Sequence, residues 1–125
     1  MTKRSNPKYE LEKELFLDGL VFALAVLLVS LLYKNNLILT ALIAGCWLIA
    51  TKVWHSTRDT YLFIVAAIAG TTAEIVAIHF GAWKYANPTI LNIPLWLPFL
   101  WGSAVVFVRR VAENIQKMSD AAAKG

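Results

Sequence analysis

One carboxylate, Glu74, stands deep inside the apolar run Thr60 to Phe80. An ionisable side chain at such a depth in a bilayer span is costly, and by default it marks a functional position. A neutral carboxylic acid in an apolar cavity can hydrogen-bond a ligand or protonate a carbon–carbon double bond. The competing role is structural: an acid bonded to Thr71, Thr72 or a Trp indole would hold helices together. The residues that follow are unlike the rest of the chain. Gly81, Trp83, Tyr85 and Pro88 make an aromatic, proline-punctuated loop, and Pro94, Trp96, Pro98 and Trp101 lead into a further apolar run. Glu74 is therefore the candidate catalytic residue, with Thr71, Trp83, Tyr85, Trp96 and Trp101 as candidate ligand contacts. Trp101 lies deepest beyond Pro94 and is the best placed to stack over a cavity near Glu74.

Other chemistries find little support. His79 lies five positions from Glu74, about 140° around a helix, and does not share its face. No other group of His, Cys or carboxylates has ligand spacing, so no metal site is expected. The chain has no nucleophile elbow, P-loop, GxGxxG or CxxC, and no cofactor is expected. Cys46 is the single cysteine and reads as a small apolar residue. Asp18 reads as a headgroup-level acid or a partner of Lys13 or Lys3, and His55 as an interfacial residue.

Positioning Glu74 at that depth requires a membrane fold, and the composition supplies one. The chain of 125 residues is 58% hydrophobic and 16% charged, with a mean hydropathy of +0.58. Soluble domains carry about a quarter charged residues, so the balance points into the bilayer. The net charge of +4 sits in short clusters between apolar runs, which speaks for topology and against nucleic acid as a partner. The expected fold is all-α, a single polytopic domain over residues 1–125 with four transmembrane helices. Residues 1–14 form an interfacial segment, with Asn6-Pro7 as a helix start. Spans follow at about 15–33, 37–54, 60–80 and 93–110, and 111–125 form a helical tail that frays at its end.

Several local signals set the boundaries. Lys34-Asn35-Asn36 is a tight hairpin connection, and Ser56 with Asp59 resembles a capping box. Gly81 is a helix stop. Asn92-Ile93-Pro94 suits a helix start, with Pro98 kinking the helix or delaying its regular part. The third span carries a face of small residues, Ala66, Ala69, Gly70, Ala73 and Ala77, and Glu74 borders it. Acids as well as bases precede the first apolar run, which is read as an uncleaved span. Lys3, Arg4, Lys8, Lys13, Lys52, Arg58, Arg109, Arg110, Lys117 and Lys124 fall on one side, against Lys34 and Lys84. The excess of basic residues places both termini in the cytoplasm of a cell membrane and the aromatic loop outside. Trp54, Trp83 and Trp96 suit an interfacial belt.

The pattern Gly70-Thr71-x-x-Glu74, then Gly81-x-Trp83-x-Tyr85, then Ile93-Pro94-x-Trp96-x-Pro98-x-x-Trp101 resembles one found in small uncharacterised polytopic membrane proteins. Over about residues 70–102 it is also loosely similar to the membrane-embedded carotenoid hydratases. There, a span with an acid precedes a Gly/aromatic loop and a Pro-led helix. Those hydratases are about twice as long and use several carboxylates; Glu74 alone has a counterpart here. The resemblance implies acid–base chemistry on a lipid-soluble substrate.

Three classes of function fit these features. The first is a non-catalytic membrane protein that binds a lipid or isoprenoid, or serves as an accessory subunit of a larger membrane complex. The second is a hydratase- or isomerase-like membrane enzyme acting through Glu74. The third is a transporter or channel built as a homo-oligomer, since four helices enclose only a small cavity.

Overall fold

The computed structural model describes residues 7–53 and 55–124 as four helices: α1 (Pro7–Leu32), α2 (Asn36–Val53), α3 (Thr57–His79) and α4 (Leu97–Ala123). The expectations for Lys3, Arg4, Asn6 and Trp54 lie outside the described residues. Three of the helices, α1 to α3, are long and apolar enough to cross a membrane. Large apolar side chains are exposed along them, among them Leu24, Leu27, Leu31, Leu42, Ile49, Ile64, Ile68 and Val76. In water such a surface would be untenable, whereas lipid is its natural solvent.

Local sequence accounts for most helix ends. Pro7 opens α1 with a fixed φ and no N–H to orphan. The helix then runs unbroken through the interfacial segment into the first span. The Asn35 side chain caps α2 by accepting from Ile38 N–H at 3.2 Å. A full capping box starts α3: Ser56 Oγ accepts from Asp59 N–H, and the Asp59 carboxylate accepts from Ser56 N–H. At the other end Gly81, at φ +80°, allows a Schellman closure in which Ala82 N–H bonds Ala77 C=O and Gly81 N–H bonds Ile78 C=O.

α4 departs from expectation. A regular helix does not begin at Ile93. Leu91 and Asn92 take φ values of 50° and 62°, and Ile90 and Ile93 exchange two backbone hydrogen bonds across them. This tight left-handed turn reverses the chain where a helix start was expected. Pro94 and Pro98 further postpone regular hydrogen bonding, so α4 begins at Leu97. Only twelve positions, roughly 18 Å of helix, separate Leu97 from the Arg109-Arg110 pair. α4 is accordingly not among the helices apolar and long enough to span.

The same helix is the centre of the bundle. α4 packs against α1, α2 and most extensively α3, while α1 also packs on α2. Close approach to α3 rests on two glycines. A Cβ on Gly70 would stand inside the Trp101 indole, and one on Gly102 inside the Phe63 ring. The buried strip of α3 is Asp59, Phe63, Ala66 and Gly70. Ala69 and Ala73 are exposed, so the expected small face is only partly a packing face. Because α3 meets essentially one helix closely, a single strip at i, i+4, i+7 and i+11 is covered.

Two apolar layers result. Leu39, Ile43, Ile93, Trp96 and Leu97 form one, in which the irregular segment 93–96 fills the space that further turns of α4 would have taken. Trp47, Phe63 and Val106 form the other, with the Trp47 and Phe63 rings stacked at 3.9 Å.

Candidate functional site

Glu74 sits one turn beyond Gly70 on α3, about 8 Å from the helix end at His79. The close approach at Gly70–Trp101 sets the level at which α4 begins, and so brings Leu97 and Trp96 beside Glu74. A cavity of about 320 Å3 opens there, lined by Glu74, Tyr85, Trp96, Leu97, Leu100, Trp101 and Ala104. All of these come from α3, the α3–α4 connection and α4. The space is therefore a groove along the α3–α4 seam, with no wall from α1 or α2.

Three aromatic side chains and one acid define its chemistry. The Tyr85 and Trp96 rings stand perpendicular, with centroids 6.1 Å apart, and Trp101 adds a further aromatic wall. Glu74 Oε2 accepts a hydrogen bond from Trp83 Nε1–H at 2.8 Å. Burial, followed by hydrogen bonding to Glu74 and the charge of its carboxylate, pushes the Tyr85 phenol well above its ordinary value. Among the described residues Glu74 has no ion-pair partner; Lys84 is not one.

The loop that supplies these rings is fastened to the α1–α2 turn. Asn36 Nδ2 donates to Asn87 C=O (2.7 Å) and Thr89 Oγ1 (2.6 Å), while Asn36 Oδ1 accepts from Trp96 Nε1–H (3.2 Å). Asn87 Nδ2 in turn donates to the carbonyls of Tyr33 and Lys34. One asparagine thus satisfies the Trp96 indole, which is 5% exposed and would otherwise carry a buried unpaired donor.

Of the six residues singled out from sequence, Glu74, Tyr85, Trp96 and Trp101 line this one groove. Trp83 is exposed and reaches Glu74 by its indole N–H, but it lines the neighbouring cavity with Lys84, Pro88 and Asn92. Thr71 does not line the groove. Its hydroxyl is buried with no hydrogen-bond partner among the described residues. Trp96 is buried, not at an interfacial belt. His79 is exposed and meets Phe80 edge-on.

A second cluster, at the opposite end of the bundle, was not anticipated. Arg110 Nε donates to Asp18 Oδ2 (2.5 Å), its Nη1 to Asp59 Oδ2 (3.0 Å) and its Nη2 to Glu14 Oε2 (2.6 Å). Asp18 Oδ1 also meets His55 Nε2 at 2.9 Å, and Arg109 lies 3.7 Å from Asp59. Asp18 and Asp59 are 4% and 3% exposed, so these are buried charges. Asp18 is therefore buried against Arg110 and His55, not paired with Lys13, and the His55 side chain is buried with it. Both had read as interfacial because the sequence shows each charge alone. The available signal was depth: Asp18 lies fourteen residues before the end of α1, and Arg110 thirteen after the start of α4.

The fold and the exposed apolar belt define a helical protein with three membrane-crossing candidates and one central helix that is less apolar. The chain belongs to the family described as protein of unknown function, DUF817, whose model matches residues 12–120, from the first turns of α1 to near the end of α4. No curated protein and no solved structure matches the chain, so the resemblance to carotenoid hydratases gains no support from them. Among the described residues no group of His, Cys, Asp and Glu is arranged to hold a metal ion.

Proposed function

We propose that this chain is a multi-pass protein of the cell membrane that binds a lipid-soluble ligand, a lipid or isoprenoid, in the groove beside Glu74. The observation that carries the reading is the acid in an aromatic groove, hydrogen-bonded by Trp83 and Tyr85 and, among the described residues, paired with no basic side chain. The carboxylate keeps acceptor capacity beyond these bonds for a polar group of the ligand, while Leu97, Leu100 and Trp101 accept its apolar part. Segment 93–110 completes the fourth crossing by combining the buried irregular stretch with α4. Both termini then lie in the cytoplasm with the basic residues. Reporter fusions at residue 125 and within 86–91 test this topology; an external report from residue 125 would overturn it.

The binding experiment compares wild type with Ala104→Phe, which fills the groove without touching Glu74. Each protein is purified in a maltoside detergent, extracted with organic solvent and examined by mass spectrometry. A lipid-soluble species retained by wild type and lost from the variant is the expected result. Equal recovery from both proteins would refute the groove as its site.

A further inference from the structure

We infer that the groove selects an organic cation, an alkylated ammonium group, as the polar end of its ligand; this rests on the ligand-binding reading above. The four polar or aromatic side chains of the lining are Glu74, Tyr85, Trp96 and Trp101, and no Lys, Arg or His joins them. Two of the rings meet at 90° with centroids 6.1 Å apart, which gives two adjoining faces of a box. Aromatic faces attract a cation within about 6 Å of the ring centroid, and quaternary ammonium groups are the ligands that such boxes recognise. An ammonium carrying methyl groups buries apolar surface against the rings while its charge is balanced by the carboxylate. The arrangement disfavours anionic headgroups, which would face Glu74 without a compensating base.

The fit extends to size and hydrogen bonding. A volume of about 320 Å3 holds a trialkylammonium group together with the first part of a chain. Trp83 and Tyr85 both hydrogen-bond the Glu74 carboxylate and hold it at the groove. A trialkylammonium has no N–H to donate, and this acceptor-only site does not demand one. The shared chemistry has two sources, the choline headgroup of a phospholipid or a free lipophilic ammonium.

The experiment uses the full chain in maltoside and in nanodiscs, with tryptophan fluorescence as the readout. Dodecyltrimethylammonium is compared with its neutral tert-butyl carbon isostere, on wild type and on Glu74→Gln. The expected outcome is a preference for the cation of roughly tenfold or more in wild type, lost in Glu74→Gln. Equal binding of cation and isostere to wild type would overturn the inference while leaving the ligand-binding reading intact. That comparison needs no variant, so it decides the matter even if Glu74→Gln fails to fold. A preference that persists in a folded Glu74→Gln would also overturn it. Absence of binding by either probe, together with no lipid lost on Ala104→Phe, would overturn both readings. Given a preference, phosphatidylcholine nanodiscs that exclude the cation, where phosphatidylglycerol nanodiscs admit it, assign the site to the lipid headgroup. Equal binding in the two assigns it to a free ammonium.

Discussion

Replacing Arg110 with Met should weaken the fold strongly. Its guanidinium bonds both α1 and α3 to α4, through Asp18, Asp59 and Glu14. Its loss leaves Asp18 with His55 and leaves Asp59 with Ser56 and the more distant Arg109. Removing one partner of a buried ion pair typically costs about 3–5 kcal/mol, because the other charge stays buried and uncompensated. Glu14 is 40% exposed on its side chain, so its share is screened and adds well under ~1 kcal/mol. The expected loss is thus about 3–5 kcal/mol for Arg110→Met. Arg110→Lys should recover part of it, since an ammonium is a point charge and cannot present three directed donors to three carboxylates. Reversible unfolding in mixed micelles, followed by tryptophan fluorescence over a denaturing-detergent titration, measures both. A loss below ~1 kcal/mol for Arg110→Met, or full recovery with Lys, would refute the hub.

Two further outcomes are expected. Gly70→Leu should destabilise or misassemble the protein by about 1–3 kcal/mol or more, since even a Cβ there overlaps the Trp101 indole; wild-type thermal stability in detergent would show that the seam is looser than described. In a spectrophotometric titration, one phenol should ionise later than the ordinary value of about 10, and Tyr85→Phe should remove that late component. Because the folded state holds the Tyr85 proton more tightly than the unfolded one, stability should fall as pH rises above about 10 towards the folded value. Unchanged late titration in Tyr85→Phe would show that another group causes it.

The first three helices were legible because each signal there is local. Apolar length, the tight Lys34-Asn35-Asn36 connection, the Ser56–Asp59 box and the Gly81 stop all act within a few residues, and each appears in the structure. The gathering of Glu74, Tyr85, Trp96 and Trp101 was also within reach, since one hairpin-like return brings neighbours in sequence together. What escaped is non-local or has no compositional mark. Leu91 and Asn92 form a left-handed turn without the glycine that usually announces one. Arg110 and Asp18 are separated by 92 positions, and each had an adequate explanation alone, as a topological charge or a headgroup acid. Asp59 had already been assigned to its cap, yet a carboxylate has acceptor capacity left for Arg110 after capping.

The late start of α4 at Leu97 and the placement of Glu74 account for one another. Non-helical backbone at membrane depth survives only where protein satisfies its polar groups or where it lines a cavity. Much of segment 89–97 meets the first condition: Thr89 N–H and Ile90 N–H bond Ile93 C=O, Ile93 N–H bonds Ile90 C=O, Leu95 N–H bonds Thr89 Oγ1, and Leu97 N–H bonds Pro94 C=O. It meets the second as well, since Trp96 and Leu97 line the groove. The irregular stretch fills this end of the bundle while setting the Trp96 ring against Tyr85 beside Glu74. Irregular backbone and an acid are each expensive in lipid, and in this chain they meet in one groove. That coincidence supports the proposal that the groove beside Glu74 binds a ligand.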